Sequence, residues 1–450
     1  MNRKFDLIAI GTGSAASAVT SRCRAAGWKV AIIDSQPFGG TCALRGCDPK
    51  KVLVGAAEVT DWARRMQDKG IDAGQFNIDW QRLMQFKRSF TEPVPEQREK
   101  GFAKAGIEAF HGRARFVGPS TLRVGDDVLE GRYVVIATGQ KPADLKIPGA
   151  ELLTTSEQFL ELDELPPHIV FIGGGYIAFE FAHVALRAGS HVTIVHRGNR
   201  PLPLFDPDLV DQLVKRTREL GGEVQLGTEA IGIEKGSERL RVHTSASGKQ
   251  STLEAELVVH AAGRVPDIGD LNLEDAGVEW DKRGITVNEF LQSASNSAVY
   301  AAGDVAASGG PPLTPVAGYD GMVVAANLLK GNHQKPNYLG IPTVVFTIPP
   351  LASIGLSEQQ AREQGMKFRV KTEMTSEWYT SRRVAEAYSG YKVIVDEETD
   401  LILGAHLLGS GSEEVINLIA VAMQSGMRAS DLKHMIFAYP THGSDLPYML

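Results

Sequence analysis

The sequence predicts an α/β fold made of two Rossmann-like dinucleotide-binding domains followed by a mixed α+β domain. Three observations predict it. A strand, Asp6-Leu7-Ile8-Ala9-Ile10, runs into the glycine loop Gly11-x-Gly13-x-x-Ala16. The same pattern returns 162 positions later, where Ile169-Val170-Phe171-Ile172 precedes Gly173-x-Gly175-x-x-Ala178. From Tyr338 onward the chain turns to Thr/Val/Ile-rich strands and contains no such loop. One glycine fingerprint is weak, whereas two in register are hard to obtain by chance.

In the first copy a small-residue helix reaches Gly27, and a second strand, Lys29 to Ile33, ends at Asp34. Glycine permits the tight turn and the approach of a pyrophosphate to backbone amides, while Ala16 lets helix and strand pack closely. In the second copy Gly189 matches Gly27, and Val192 to Val195 matches Val30 to Ile33. Asp34 is matched by His196, with Arg197 and Arg200 after it. A carboxylate accepts from free ribose hydroxyls, whereas cations accommodate a 2′-phosphate. The first copy therefore suits FAD, and the second NADPH rather than NADH. The alternative for the second is an ordinary solvated turn.

Between the copies lies Gly39-Gly40-Thr41-Cys42-Ala43-Leu44-Arg45-Gly46-Cys47-Asp48-Pro49-Lys50-Lys51, holding two of the three cysteines. It reads as a loop entering a helix at Lys51. A thiol near a helix N-terminus and a lysine has a lowered pKa, and a pair so placed can cycle between dithiol and disulfide. Two structural cysteines or half a metal site are the alternatives. The third cysteine, Cys23, offers no partner spacing for zinc, so no metal site is expected.

Residues 81 to 110 read as two helices divided by Pro93-Val94-Pro95. Arg113 to Val117, Thr121 to Val124 and Val128 to Glu130 read as short strands of an inserted sheet. A buried strand, Tyr133 to Thr138, ends at Gly139, and Leu257 to Gly263 echoes it. Val299 to Asp304 is another strand ending in Gly-Asp. Domains are expected at 1–148 (FAD), 149–266 (nicotinamide nucleotide), 267–337 (completing the first) and 338–450 (an interface).

Hydrophobic residues make up 43% and charged residues 22% of the 450, the ordinary composition of a soluble globular protein. A net charge of −7 without a basic run argues against nucleic acid and anionic membranes. The N-terminal apolar stretch is broken by Asp6 and ends in the glycine loop, which suits a buried strand better than a signal peptide. No run is long enough to span a bilayer. Few cysteines suit a reducing compartment, so a cytoplasmic location is expected.

Taken together, these residues resemble the pyridine-nucleotide disulfide oxidoreductase family, which includes glutathione reductase, lipoamide dehydrogenase and mercuric reductase. The resemblance covers essentially the whole chain, and Gly-Gly-Thr-Cys-(x)4-Cys-x-Pro-Lys is among its most specific signatures. It implies a homodimer in which electrons pass from NADPH through FAD to a Cys42–Cys47 disulfide and on to an acceptor. By motif, Cys47 resembles the cysteine beside the flavin that forms a charge-transfer thiolate, and Cys42 the interchange thiol. Lys50 resembles the lysine near flavin N5, Glu180 its ion-pair partner, and Tyr176 the gate over the nicotinamide pocket. The same carry-over marks Gly11, Gly13, Ser14, Ala15, Asp34, Gly40, Thr41, Thr138, Gly139, Gly303, Asp304, Thr314 and Ala317 as flavin-site residues. It marks Gly173, Gly175, Ile177, His196, Arg197, Arg200 and Gly263 for the nicotinamide nucleotide.

The C-terminal segment departs from the pattern. Glutathione reductase and lipoamide dehydrogenase carry a His-Pro motif there, with a glutamate five residues after the histidine. Here Tyr439 and Ser444 stand at those places. A phenol with a pKa of about 10 shuttles protons poorly beside an imidazole at about 6.5. His442, with Asp445 as orienting carboxylate, is the alternative base. Tyrosine at this place is similar to mercuric reductase, because a soft metal ion held by two thiolates needs ligands more than a base. That family's C-terminal cysteine pair and N-terminal metal-binding domain are not expected. Arg45 and Asp48 are charged where the redox loop commonly is not, and either tunes the pair, touches the acceptor, is simply solvated or pairs with a neighbour. The leading expectation is mercuric-reductase-like reduction of a metal ion. The alternatives are glutathione-reductase-like or dihydrolipoamide-dehydrogenase-like chemistry on a small disulfide or dithiol, and, from another class, a redox-sensing or electron-carrier flavoprotein acting on a protein partner.

Overall fold

The computed structural model describes residues 2–72, 74 and 76–450. The chain forms two compact units, each assembled from three separate stretches. One comprises Met1–Pro49, Phe86–Ala143 and Arg264–Tyr338; the other comprises Lys50–Gln85, Asp144–Gly263 and Leu339–Leu450.

The first unit is built on a parallel sheet in the order Glu108–His111, Val30–Asp34, Asn2–Ile10, Asp127–Ile136, Val299–Ala301. Its central strand is apolar on consecutive residues because both faces are covered. Phe5, Ile8 and Ile10 enter one core, and Leu7 and Ala9 the other. The helices Ser14–Ala25 and Thr314–Lys330 pack on the second face, where a Cβ at Gly321 would come 2.4 Å from the Ala15 carbonyl oxygen. Val128 to Glu130, expected as a strand of an inserted sheet, instead belongs to one strand with Tyr133 to Ile136. Its early residues pair with Thr121–Val124 and its late residues with Val299–Ala301, so the hairpin extends the main sheet.

The second unit repeats the plan. A parallel sheet runs Glu223–Gln225, His191–Val195, His168–Ile172, Leu257–His260, with helices Tyr176–Arg187 and Pro207–Glu219 beside it. The echo extends to the atoms of the turn. A Cβ on Gly11 would meet the Ala137 oxygen at 2.3 Å, and one on Gly173 the Ala261 oxygen at 2.0 Å, both at positive φ. A side chain at either place would collide with the neighbouring strand's end. The C-terminal stretch forms a five-stranded antiparallel sheet carrying the helix Ser412–Gln424. Leu53, Val54, Ala57 and Met84 join the core formed by Phe171, Phe179, Leu209, Val345 and Leu408, which places the stretch 50–85 with this unit.

Candidate active site

The cysteine stretch is not a loop. It is helical on both sides of a single break, as Gly40–Arg45 and then Cys47–Arg65. The break falls at Gly46, where a Cβ would lie 2.8 Å from the Thr41 carbonyl oxygen, so only glycine lets the first helix stop there and the second begin one residue later. Gly40, at φ +72°, passes so close to Gly13 that a Cβ would sit 2.5 Å from the Gly13 Cα. The glycine loop and the cysteine helix are thereby in direct backbone contact.

Cys42 and Cys47 are present as thiols. Cys47 is the first residue of its helix, and its sulfur lies 3.5 Å from the hydroxyl of Thr314, itself the first residue of Thr314–Lys330. Two helix N-termini thus favour negative charge at Cys47. Cys42 behaves oppositely to the expectation of a lowered pKa. Its hydrogen bond to the Cys47 sulfur pushes its thiol up, burial adds to this, and so does the Asp48 carboxylate, whose Oδ1 is 3.8 Å from its sulfur. The two sulfurs are thus placed differently, with Cys42 held protonated and Cys47 at the helix N-termini that favour negative charge.

Beside this pair the strand ends converge. The Thr12 hydroxyl donates to Asp34 Oδ2 at 2.6 Å and accepts the Gly39 N–H at 3.1 Å, linking the glycine loop, the acidic strand end and the cysteine helix. Thr12 occupies the unspecified position of the fingerprint and was invisible to it. Gly303, at φ +73°, donates its N–H to Asp320 at 3.1 Å, and a Cβ there would meet Ala317 at 3.0 Å. Burial pushes the Asp320 carboxyl up to about 6 and also raises that of Asp304, against which the charge of Arg264 acts. Ser14 and Ala15 open the first helix, while Thr41 is exposed.

In the second unit Lys50 Nζ donates to Glu180 Oε1 at 2.7 Å. The same oxygen accepts the Phe346 N–H at 2.8 Å, and the Phe346 ring lies 4.4 Å from the ammonium. Lys50 and Glu180 are 9% and 4% exposed, a charge pair nearly withdrawn from water. Phe346 was missed because nothing in the sequence links it to positions so distant. Tyr176 starts the Tyr176–Arg187 helix and is half-exposed, with Ile177 following it. His196 lies over the second glycine loop, since Cβ atoms on Gly174 and Gly198 would come 2.6 and 2.7 Å from its ring. Its Nε2 is 3.0 Å from the Arg200 carbonyl oxygen, to which it donates. Arg197 and Arg200 are exposed beside it, as is Gly263 at φ +113°.

Near the C-terminus Tyr439 is 79% exposed and stacks on Tyr379 at 6.5 Å between ring centroids. His442 is half-buried against Gly411; burial and the nearby Arg383 lower its pKa, leaving a neutral imidazole at neutral pH. Asp445 accepts from the Thr380 hydroxyl at 2.5 Å, so the expected orienting carboxylate is engaged elsewhere. Ser444 caps the short turn through Thr441. Among the described residues no cluster of three or more His, Cys, Asp or Glu side chains is placed to hold a metal, and no helix is long and apolar enough to cross a membrane.

Residues 5–321 match the family described as pyridine nucleotide-disulphide oxidoreductase, and residues 341–449 match its dimerisation domain. The chain belongs to the pyridine nucleotide-disulphide oxidoreductases. It is 33% identical to a mercuric reductase of Bacillus cereus over 99% of this chain and 71% of that protein. It is 32% identical to a glutathione reductase of Burkholderia cepacia over 97% of this chain and 96% of that one. The Cu(II) complex of RclA, an HOCl-induced flavoprotein disulfide reductase from Escherichia coli, superposes with a TM-score of 0.89 at 30% identity, covering 99% of both chains. This oxidoreductase is accordingly an NAD(P)H-dependent, FAD-dependent flavoprotein enzyme, and its dimerisation domain supports a homodimer.

The residues present fit a flavin dinucleotide. Thr138 Oγ1 is buried and finds no hydrogen-bond partner among the described residues, at the strand end next to Gly139. A buried hydroxyl left without a partner is costly, so it points to a group that completes it. The turn Gly11-Thr12-Gly13, whose Thr12 side chain is taken up by Asp34 and Gly39, opens the Ser14–Ala25 helix, and a helix N-terminus of this kind suits an anion.

Proposed function

We propose that this oxidoreductase uses NADPH to reduce a thiophilic metal ion through the Cys42–Cys47 pair. The observation that carries the reading is the polarised pair beside two helix N-termini, with Cys42 holding its proton and Cys47 favoured as thiolate. Such a pair can bind a soft cation through sulfur, the Cys42 thiol giving up its proton as it does so, and can supply two electrons as both sulfurs close to a disulfide with loss of both protons. The relatives support the same class of acceptor, one being a mercuric reductase and another an enzyme solved with Cu(II). Exposed Tyr439 supports it too, because ligand exchange at a soft cation needs no imidazole.

Bound FAD would supply two-electron transfer from a hydride donor to the Cys42–Cys47 disulfide. Gly11, Gly13, Asp34 and Thr138 would hold its polar atoms, with Ser14, Ala15, Gly40, Thr41, Gly139, Gly303, Asp304, Thr314 and Ala317 framing the site. Lys50, fixed by Glu180, sets a positive charge in a nearly dry setting, and Tyr176 gates the nicotinamide. His196, Arg197 and Arg200 favour a 2′-phosphate and hence NADPH over NADH.

A disulfide acceptor is the second reading. It is favoured by neutral, half-buried His442, which can take a proton at neutral pH, and by the glutathione reductase relative. Steady-state NADPH oxidation with Hg(II) plus excess thiol, beside oxidised glutathione and lipoamide, separates the two. Turnover with Hg(II) that disappears in Cys42→Ser is expected. Turnover with a disulfide alone, sensitive to His442→Gln, would replace the first reading with the second.

A further inference from the structure

Glu180, His183 and Arg187 stand at i, i+3 and i+7 of the Tyr176–Arg187 helix and so share one face. That face meets the backbone of Phe346–Ile348, just past the strand Thr343–Val345. Glu180 Oε1 accepts the Phe346 N–H at 2.8 Å, His183 Nδ1 accepts the Ile348 N–H at 3.0 Å, and Arg187 Nη2 donates to the Ile348 carbonyl oxygen at 2.8 Å. Buried backbone groups require partners, which by itself would account for the three bonds. The two ends of the segment are not equivalent, however. Phe346 is tied twice to Lys50, through the shared Glu180 oxygen and through its ring, 4.4 Å from the ammonium. Ile348 is held by His183, which is fully buried.

The hydrogen bonds of His183 run one way. An amide N–H can only donate, so Nδ1 is the acceptor and the ring proton is on Nε2, 2.9 Å from the Thr217 hydroxyl oxygen. That hydroxyl in turn donates to the Leu213 carbonyl oxygen at 2.9 Å. Burial and the charges of Arg187 and Arg216 keep the imidazole neutral, which leaves Nδ1 able to accept. The ring is thus fixed in tautomer and orientation between the Pro207–Glu219 helix and Ile348. We propose that His183 is a positioning residue for the Lys50 ammonium. By fixing the Ile348 amide it fixes Phe346 two residues earlier, and Phe346 together with Glu180 fixes the charge. The inference rests on the reading of Lys50 as the lysine beside the flavin.

The test compares two amides at this position. His183→Asn puts its Oδ1 where Nδ1 stands, keeping the Ile348 bond and losing Thr217, whereas His183→Gln reaches Thr217 and loses Ile348. The FAD-loaded variants are followed by anaerobic redox titration of the flavin absorbance, beside urea unfolding as a measure of stability. A positive charge beside the flavin favours its reduction, so a displaced ammonium lowers the potential. His183→Gln is expected to weaken the two-electron reduction equilibrium about fivefold, the worth of one neutral hydrogen bond; at about 30 mV per tenfold this is about 20 mV. His183→Asn and Thr217→Val are expected to keep the wild-type potential although both lose stability. Should His183→Gln not fold, His183→Ser, which leaves room for a water, carries the same expectation. A His183→Gln potential equal to the wild type, or an equal shift in His183→Asn, overturns the proposal. Glu180→Gln is the reference. If it shifts the potential and His183→Gln does not, only the role of His183 falls; if neither shifts it, the reading of Lys50 falls as well.

Discussion

Glu180→Gln isolates the charge of the buried pair from its shape. In the wild type one carboxylate oxygen accepts from both Lys50 Nζ, at 2.7 Å, and the Phe346 N–H, at 2.8 Å. The amide oxygen of glutamine can keep both bonds but not the charge. Hydrogen bonds to a charged group contribute about 1.5–3 kcal/mol against about 0.5–1.5 for neutral ones, so about 1–1.5 kcal/mol is lost at the Lys50 contact. The ammonium then loses its fixed position, and reduction of bound FAD by NADPH is expected to slow about five- to tenfold. Glu180→Leu removes the acceptor altogether. A nearly buried ammonium and the Phe346 N–H are left without it, which costs about 3–5 kcal/mol of stability. Anaerobic stopped-flow reduction measures the first effect and chemical denaturation the second. The reasoning is refuted if Glu180→Gln is reduced at the wild-type rate, or if Glu180→Leu is as stable as the wild type.

Asp61→Asn is the corresponding stability test. Asp61 and Arg187 are 3% and 1% exposed; Asp61 Oδ1 receives Arg187 at 2.6 Å and Arg216 at 2.8 Å, and its Oδ2 receives Arg65 at 2.6 Å. Burial pushes the Asp61 carboxyl up, but Arg187, Arg216 and Arg65 together hold it below its ordinary value. Breaking the network is expected to cost about 3–5 kcal/mol, read as a lower urea midpoint. A carboxyl depressed on folding contributes stability that is complete above its unfolded pKa of about 4 and lost as pH falls through the folded value. Wild-type stability should therefore fall in acid more steeply than that of Asp61→Asn, and parallel acid profiles would contradict the assignment. For cofactor choice, Arg197→Ser/Arg200→Ser is expected to raise the KM for NADPH about ten- to hundredfold through lost charged hydrogen bonds. The KM for NADH should stay put, and an equal rise for both would remove the 2′-phosphate reading.

Much of the site was legible in the sequence because its chemistry is carried by local patterns. The two glycine fingerprints, the cysteine spacing and the contrast between Asp34 and His196 are each contained in a few dozen residues. A close turn requires glycine at Gly11 and Gly173 whatever the rest of the chain does, and the structure confirms why, through the carbonyls of Ala137 and Ala261. The cysteine stretch was read less well. Its Gly-Cys-Asp-Pro composition suggests a loop, and only the approach of Gly46 to the Thr41 carbonyl shows that two helices abut there.

By itself the sequence determined the order of elements, the repeat and the pair of thiols, all of which follow from residue type and short-range spacing. Tertiary structure alone decided which groups set the ionisation and orientation of those residues. Thr314 reaches Cys47 across 267 positions, Glu180 reaches Lys50 across 130, and Phe346 reaches Glu180 across 166. It also decided that the Cys42 thiol is pushed up by the Cys47 sulfur and by burial, and that Asp445 turns to Thr380 instead of His442. The physical reason is common to all of these. Charge and proton placement depend on distances of a few ångströms between groups from different elements, and such distances exist only once the sheets have brought those elements together.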